Sequence, residues 1–326
     1  MTVCLGSMPS DWSSALSSAT VTIPNVQWFA TEAVDDVGDT AYGTYHTSTA
    51  YGVGAVSLTK GGLRAITTVP ESKWDAVLWM SVANPWLTWA EAVPISAGAW
   101  DLKVWNMQSG QLKTIATSRL LSGQYTFPVI NRFFVAWSQA TTNTSADIRV
   151  FSLADGTSRT LASGRVSPPV FAGQYLVWGQ YLGADAEPTF QMVDAATLNP
   201  MATPAQLTKP GPVVYLGGSN QFLLWTASGA QMSAYDIQNG VVRTYELGQR
   251  DGRHNLEFPM LASHILVWWT GVVETVVDLV TAKGFDVVDG AAADGGNLLV
   301  VDGARGTLPT LSSLRLNSTV GIASCG

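Results

Sequence analysis

A unit of about 45 residues recurs along this 326-residue chain, and a repeat of that length settles the architecture before any single residue is considered. Each unit has three readable parts. The first is an apolar run ending in an aromatic residue: NVQWFATEA, PWLTWAEAV, RFFVAWSQA, QYLVWGQYL, QFLLWTASG, HILVWWTGV and, with the Trp lost, NLLVVDGAR. The second alternates before a turn, as in VSLTKGG, VWNMQSGQ, VFSLADGT, YDIQNGVV and VDLVTAKG, all of which read as hairpin turns. The third is a short strand such as LRAITTV, LKTIATS, SRTLASG or VRTYELG, and a further strand (DAVLWMSV, YTFPVI, SPPVFAG, GPVVYLGG or LEFPMLAS) leads into the next unit. Four strands per unit result.

The aromatic anchors fall at Trp28, Trp89, Trp137, Trp178, Trp225 and Trp268, with Val301 in the last place, so the spacing runs from 33 to 48 residues after a first interval of 61. The long first interval reads as an insertion, DDVGDTAYGTYHTSTAYG, on one extended loop. No helical pattern of useful length survives the Gly, Pro and β-branched content apart from a short one at SDWSSALSS. Short antiparallel strands in fours at this period are the mark of radially packed blades. The chain is therefore expected to be a single all-β domain over 1–326, a β-propeller of seven four-stranded blades. Approximate blades are 24–70, 71–117, 118–163, 164–207, 208–247, 248–285 and 286–326, with 1–23 as a closing strand.

Blocks such as GQYLVWGQ with VDAATLNP, and NQFLLWTAS with AYDIQNG, resemble the repeats of TolB-like and related bacterial surface propellers, which pair an apolar "LVW" strand with a hairpin. The resemblance runs from about residue 24 to 322 and implies a fold and little about activity. No WD dipeptide has an upstream Gly-His, no double glycine recurs at one blade position as in kelch repeats, and no sialidase-type Asp box is present.

A ring of blades must fasten its last blade to its first, because an open ring exposes strand edges. TVCLGSM or ATVTIP is expected to add a strand to the blade that ends in VGIASCG. The two cysteines, Cys4 and Cys325, lie at opposite ends of the chain, where a closed ring would bring them together for a disulfide. In the chain-entropy account such a bridge stabilises by about 4–5 kcal/mol.

Composition narrows the function classes. Charged residues are 13% of the chain and the net charge is −7, so there is no Lys/Arg stripe to attract nucleic acid or anionic lipid. No apolar run is long enough for a membrane-spanning helix. The start lacks the regions of a signal peptide, yet the Ser, Thr, Ala and Gly abundance points to an extracellular or cell-surface protein whose leader is absent from this chain.

Candidate functional residues are those that break the repeat. Six of the 13 Trp share one repeat position and are read as packing between blades; Trp100, in AGAWD, is expected on a loop and is the aromatic contact candidate. Glu32, Glu91, Gln180 and Asp302 are placed at or just beyond the ends of second strands, on the face where propellers usually bind ligands. Asp35, Asp36, Asp39, Tyr42, Tyr45 and His46 gather on the insertion, where Asp35, Asp36 and Asp39 are candidates for a structural cation although the order of a calcium loop is missing. Arg305 completes the ligand-binding candidates. His254, with Glu257 and Glu91, is the acid–base candidate set; no nucleophile or metal-binding histidine set can be assembled from the spacing.

The leading reading is a surface-exposed binding propeller that recognises a protein or a glycan through loops on one face, with no cofactor and an open oligomeric state. The alternative is a carbohydrate-active enzyme, a polysaccharide lyase or a glycoside hydrolase with paired carboxylates in the central funnel. A structural subunit of a surface assembly is the third.

Overall fold

The computed structural model describes the chain apart from residues 36, 71–76, 93–98, 121–125, 184–186, 227–230, 248–256, 270–272, 288–290, 294, 295, 304–307 and 317–326. It gathers into two compact units, Met1–Trp74 with Gly229–Ala234 and Arg243–Gly326, and Asp75–Ser228 with Tyr235–Val242.

One local device recurs in both. At the end of a strand an Asp, Asn or Ser side chain accepts hydrogen bonds from backbone N–H groups two or three residues on, which satisfies donors that a tight turn leaves unpaired. Asn106 takes those of Gln108 and Ser109, Asp194 those of Ala196 and Thr197, Asp236 those of Gln238 and Asn239, and Asp278 those of Val280 and Thr281. The residue four positions on has positive φ, as at Gly110, Leu198, Gly240 and Ala282, and its N–H bonds back to the first residue's carbonyl. These are the hairpin turns read from the repeat.

The first unit begins with the strand Thr2–Gly6, which runs parallel to two others. Thr2 and Val3 pair with Glu246 and Leu247, and Cys4, Leu5 and Gly6 pair with Lys283, Gly284 and Phe285. The α-helix Ser10–Ser18 follows, burying Trp12 and Leu16; the Trp12 ring meets Phe285 edge-on at 5.5 Å. Thr20–Thr22 then pairs antiparallel with Thr310–Arg315, completing the sheet that Ala291–Ala293 and Leu298–Asp302 begin. So ATVTIP supplies the strand for the C-terminal sheet, whereas TVCLG joins two earlier strands instead. The partner expected for Cys4, Cys325, lies outside the described residues.

The sheet formed by Trp28–Asp35, Thr40–His46, Ala50–Ser57 and Gly61–Ala65 corrects the reading of the insertion. TAYGTYH is a strand, not a loop, paired on both sides from Thr40↔Asp35 to His46↔Trp28 and from Thr40↔Ser57 to His46↔Tyr51. Both of its faces are buried, so it shows little of the polar–apolar alternation by which a half-exposed strand is recognised. Trp28 consequently opens the first strand of its sheet, out of step with the other anchors.

In the second unit, Val77–Ala83, Trp86–Ala92, Trp100–Asn106 and Leu112–Ser118 form one antiparallel sheet. Val129–Ile130, Phe134–Ala140, Ala146–Ser152 and Ser158–Val166 form the next, and Val170–Ala172, Tyr175–Tyr181 and Thr189–Asp194 another. Trp89, Trp137, Trp178 and Trp225 are buried at their shared repeat position. Trp89 donates its indole N–H to Glu91 Oε1 at 2.7 Å and Trp137 donates to Gln139 Oε1 at 3.3 Å, two residues on in each case.

Gly43 tests the strand at 40–46. A Cβ there would stand 1.9 Å from the carbonyl oxygen of Ala30. Gly43→Ala is expected to lower stability by about 1–3 kcal/mol through overpacking, measured as a shift in the urea midpoint; an unchanged midpoint would contradict the strand.

Candidate functional site

Three carboxylates converge within the first unit. Glu32 sits at a β-bulge: Thr31 pairs with Gly43 and Ala33 with Tyr42, so Glu32 has no opposite residue and its side chain is re-aimed. Thr31 donates its N–H to Asp302 Oδ2 at 3.1 Å and its hydroxyl to Oδ1 at 2.6 Å, fixing the carboxylate at the end of Leu298–Asp302. Glu274 opens the strand Glu274–Asp278 and accepts the N–H of Ala291 at Oε2.

All three are half-buried and reached by solvent. Burial, then the negative charges of Asp302 and Glu274, pushes Glu32 up to about 8. Burial raises Glu274 to about 7; the bond from Ala291 opposes this and the charge of Asp302 adds to it. Glu32 thus keeps its proton at neutral pH beside two acidic neighbours, an arrangement able to donate a proton. Sequence spacing placed Glu32 and Asp302 at the ends of second strands; Asp302 does end Leu298–Asp302, whereas Glu32 lies inside Trp28–Asp35, the first strand of its sheet, and the structure brings the two together; Glu274 carried no sequence signal of its own.

The other candidates are placed elsewhere. Glu91 accepts from Trp89 and lies 3.8 Å from Lys103 Nζ, so its carboxylate is engaged within its own sheet. Trp100 is not on a loop: it opens the strand Trp100–Asn106 and is fully buried, which corrects its reading as an exposed contact. Tyr45 is likewise buried, its hydroxyl 2.6 Å from Thr68 Oγ1, and the His46 ring stacks on Tyr51 at 4.0 Å. Asp35 is buried and accepts the N–H of Val37, and burial beside its charge raises the Tyr42 hydroxyl to about 12. Asp39 pairs with Arg315. Among the described residues no group of three His, Cys, Asp or Glu is placed to hold a metal ion. Asp36, His254, Arg305 and the side chain of Glu257 lie outside the described residues.

Gln180 borders a second feature, in the second unit. A cleft of about 810 Å³ opens between the hairpin at 141–145, the end of Ser158–Val166, the end of Tyr175–Tyr181 and the segment at Val213, a size typical of ligand sites. Arg165 and Tyr181 face each other across the antiparallel pair, with the guanidinium 4.8 Å from the ring centroid. Tyr181 donates its hydroxyl to Val213 O at 2.7 Å, and Arg165 donates from Nη1 to Gly183 O at 3.3 Å. Leu182 is 81% exposed and Val214 48% exposed beside them. The signal that would have found this pair is GRVSPP, where Gly164, at φ 122°, turns the strand just before the arginine.

No family model matches the chain, and no curated protein sequence matches it. Known structures do resemble it. A prolyl endopeptidase aligns at 12% identity with a TM-score of 0.58, over 94% of this chain and 49% of that one, so this chain spans about half of the enzyme's length. The β-propeller domain of the Trilobed protease from Pyrococcus furiosus aligns at 7% identity with a TM-score of 0.56, over 90% and 96% of the two chains. The chain is an all-β β-propeller. A TolB structure from Acinetobacter baumannii aligns at 14% identity over 85% of this chain and 77% of that one, with a TM-score of only 0.45. The resemblance to TolB-like surface propellers therefore comes down to propeller blades in general.

The carboxylates make stability depend on pH in a definite direction. Glu32 and Glu274 hold their protons more tightly folded than unfolded, where the ordinary value is 4.5. Their contribution is whole below pH 4.5 and is lost as pH rises through about 7 and 8, at no more than about 1.4 kcal/mol per pH unit for each group. Melting temperature is expected to fall from pH 5 to pH 8.5, and Glu32→Gln, which keeps the neutral shape, to flatten that fall. An equal slope in the variant would remove Glu32 from the account.

Proposed function

We propose that this chain is an extracellular or cell-surface binding propeller of seven blades that recognises a protein through the cleft at Arg165 and Tyr181. The cleft carries this reading: it combines an ordered cation–aromatic pair with exposed aliphatic side chains, the mixture that recognition sites use for orientation and affinity. Leu182→Asp is expected to weaken, at least tenfold, peptides enriched on the wild-type protein from a displayed random library, with the melting curve unchanged. Absence of any enriched peptide, or unchanged affinity in the variant, would sink the reading.

A second reading, a carbohydrate-active enzyme, is favoured by protonated Glu32 near the charges of Asp302 and Glu274, since glycoside hydrolysis uses one protonated and one ionised carboxyl group. Release of reducing sugar from polysaccharides by the wild type, abolished in Glu32→Gln, would establish it over the first.

We also propose that Cys4 and Cys325 are bonded. The parallel strand Thr2–Gly6 holds Cys4 by its N–H to Ala282 O at 3.0 Å, and no cysteine among the described residues is free. Reduction is expected to raise the intact mass by the two hydrogens of an opened bridge and to lower the melting temperature. An unchanged mass would exclude the bond.

A further inference from the structure

We infer that a second copy of this chain docks, through acidic side chains of its first unit, on the part of the second unit that carries Lys113, Arg132 and Arg159. Charge is unevenly spread along the sequence. Residues 101–165 hold seven basic and three acidic side chains, whereas the rest of the chain holds ten and 21. Opposite charges segregated in this way on one molecule attract between molecules.

The fold gathers three of the cations at one end of two sheets that share a core. Lys113 is the second residue of Leu112–Ser118 and Arg159 the second of Ser158–Val166, each just past a hairpin turn. Arg132 stands in the turn before Phe134–Ala140, and the bond from Leu153 N–H to Phe133 O at 2.9 Å ties that turn to the one before Ser158. Trp86 of one sheet and Leu153 of the other pack on the shared core at this end.

All three cations are exposed, and among the described residues none is in an ion pair. The Arg132 guanidinium lies 4.6 Å from the centroid of the Phe133 ring, which orients it, and exposed Leu112 adjoins Lys113. The carboxylates at this end are engaged in their own turns: Asp155 accepts the N–H and hydroxyl of Thr157, and Asp194 of the next sheet accepts those of Thr197.

Leu112–Ser118 ends its sheet, and Ser158–Val166 pairs with one neighbour only until Gly164. Cations on both edges repel a like edge, so the contact joins two different surfaces. The first unit supplies the acidic one. Asp11, Glu246 and Asp286 are exposed on or beside the strand Thr2–Gly6: Glu246 pairs with Thr2, Asp286 follows the Phe285 that pairs with Gly6, and Asp11 lies in the first turn of the helix that comes next. Such a heterologous contact leaves one surface of each kind open, so that copies add in series.

The test uses the full chain in sedimentation velocity. The Debye length is about 30 Å at 0.01 M salt and about 3 Å at 1 M, so mass is expected to rise with protein concentration at low salt and association to weaken at least tenfold at high salt. Lys113→Gln with Arg132→Gln and Arg159→Gln, and separately Asp11→Asn with Glu246→Gln and Asp286→Asn, are each expected to stay monomeric. An equal mixture of the two is expected to stop at a dimer, because each offers one intact surface. A monomeric wild type at low salt, a triple variant that still associates, or a mixture that stays monomeric or grows beyond two copies overturns the inference.

Should a variant not fold, carbodiimide coupling of the wild type, mixed from copies with and without heavy nitrogen, probes the same contact. The cross-linked peptide is expected to join Lys113 of one copy to Asp11, Glu246 or Asp286 of another, and its absence counts against the contact. The cleft at Arg165 is unaltered in every variant, so neither result bears on the binding reading above.

Discussion

A polar side chain folded back onto its own turn is the interaction on which the rest of this structure depends. Asn106, Asp194, Asp236 and Asp278 each gather two backbone N–H groups and hand a left-handed position to the residue four places on. At Asn106, Asp236 and Asp278 that geometry joins two consecutive antiparallel strands with a defined register, and after Asp194 it leads into the bridge between Val193 and Pro200. Register in turn decides which side chains face inward, because a shift by one residue would exchange the two faces. The buried tryptophans at the repeat position follow from this.

Departures from the regular ladder are where chemistry gathers. The bulge at Glu32 leaves one residue without a partner in a strand that is otherwise paired throughout, and the freed side chain meets the charges of Asp302 and Glu274. Gly43 stands opposite Thr31 at this point, and its missing side chain admits the carbonyl of Ala30. Thr31 then turns both of its hydrogen-bond donors onto Asp302. Thr31 thus fixes Asp302 and the Ala291 N–H fixes Glu274, while the bulge sets Glu32 beside them.

The cleft in the second unit rests on a comparable departure. Gly164 takes a conformation that side-chain-bearing residues seldom adopt, and directly after it Arg165 and Val166 pair with Tyr181 and Gln180. The outer strand of one sheet thereby reaches the second strand of the next, which sets a cation on an aromatic ring at the mouth of a cavity.

The sequence by itself determined the all-β repeat, the hairpin turns and, Trp28 apart, the buried Trp positions, because these depend on local propensity and on a period that survives in the residue order. It did not reveal that TAYGTYH is a strand, since two buried faces erase the alternation by which strands are recognised. Nor did it show that Trp100 is buried, because a Gly- and Ala-rich approach reads as a loop whatever packs on it afterwards. Asp302 was visible as a strand end and Glu32 only as a residue beyond the repeat, but their meeting with Glu274, and that of Arg165 with Tyr181, join residues whose separation in sequence says nothing about distance. Only tertiary structure decides such contacts, because a bulge and a positive-φ glycine change where side chains point without changing the pattern that announces the strands.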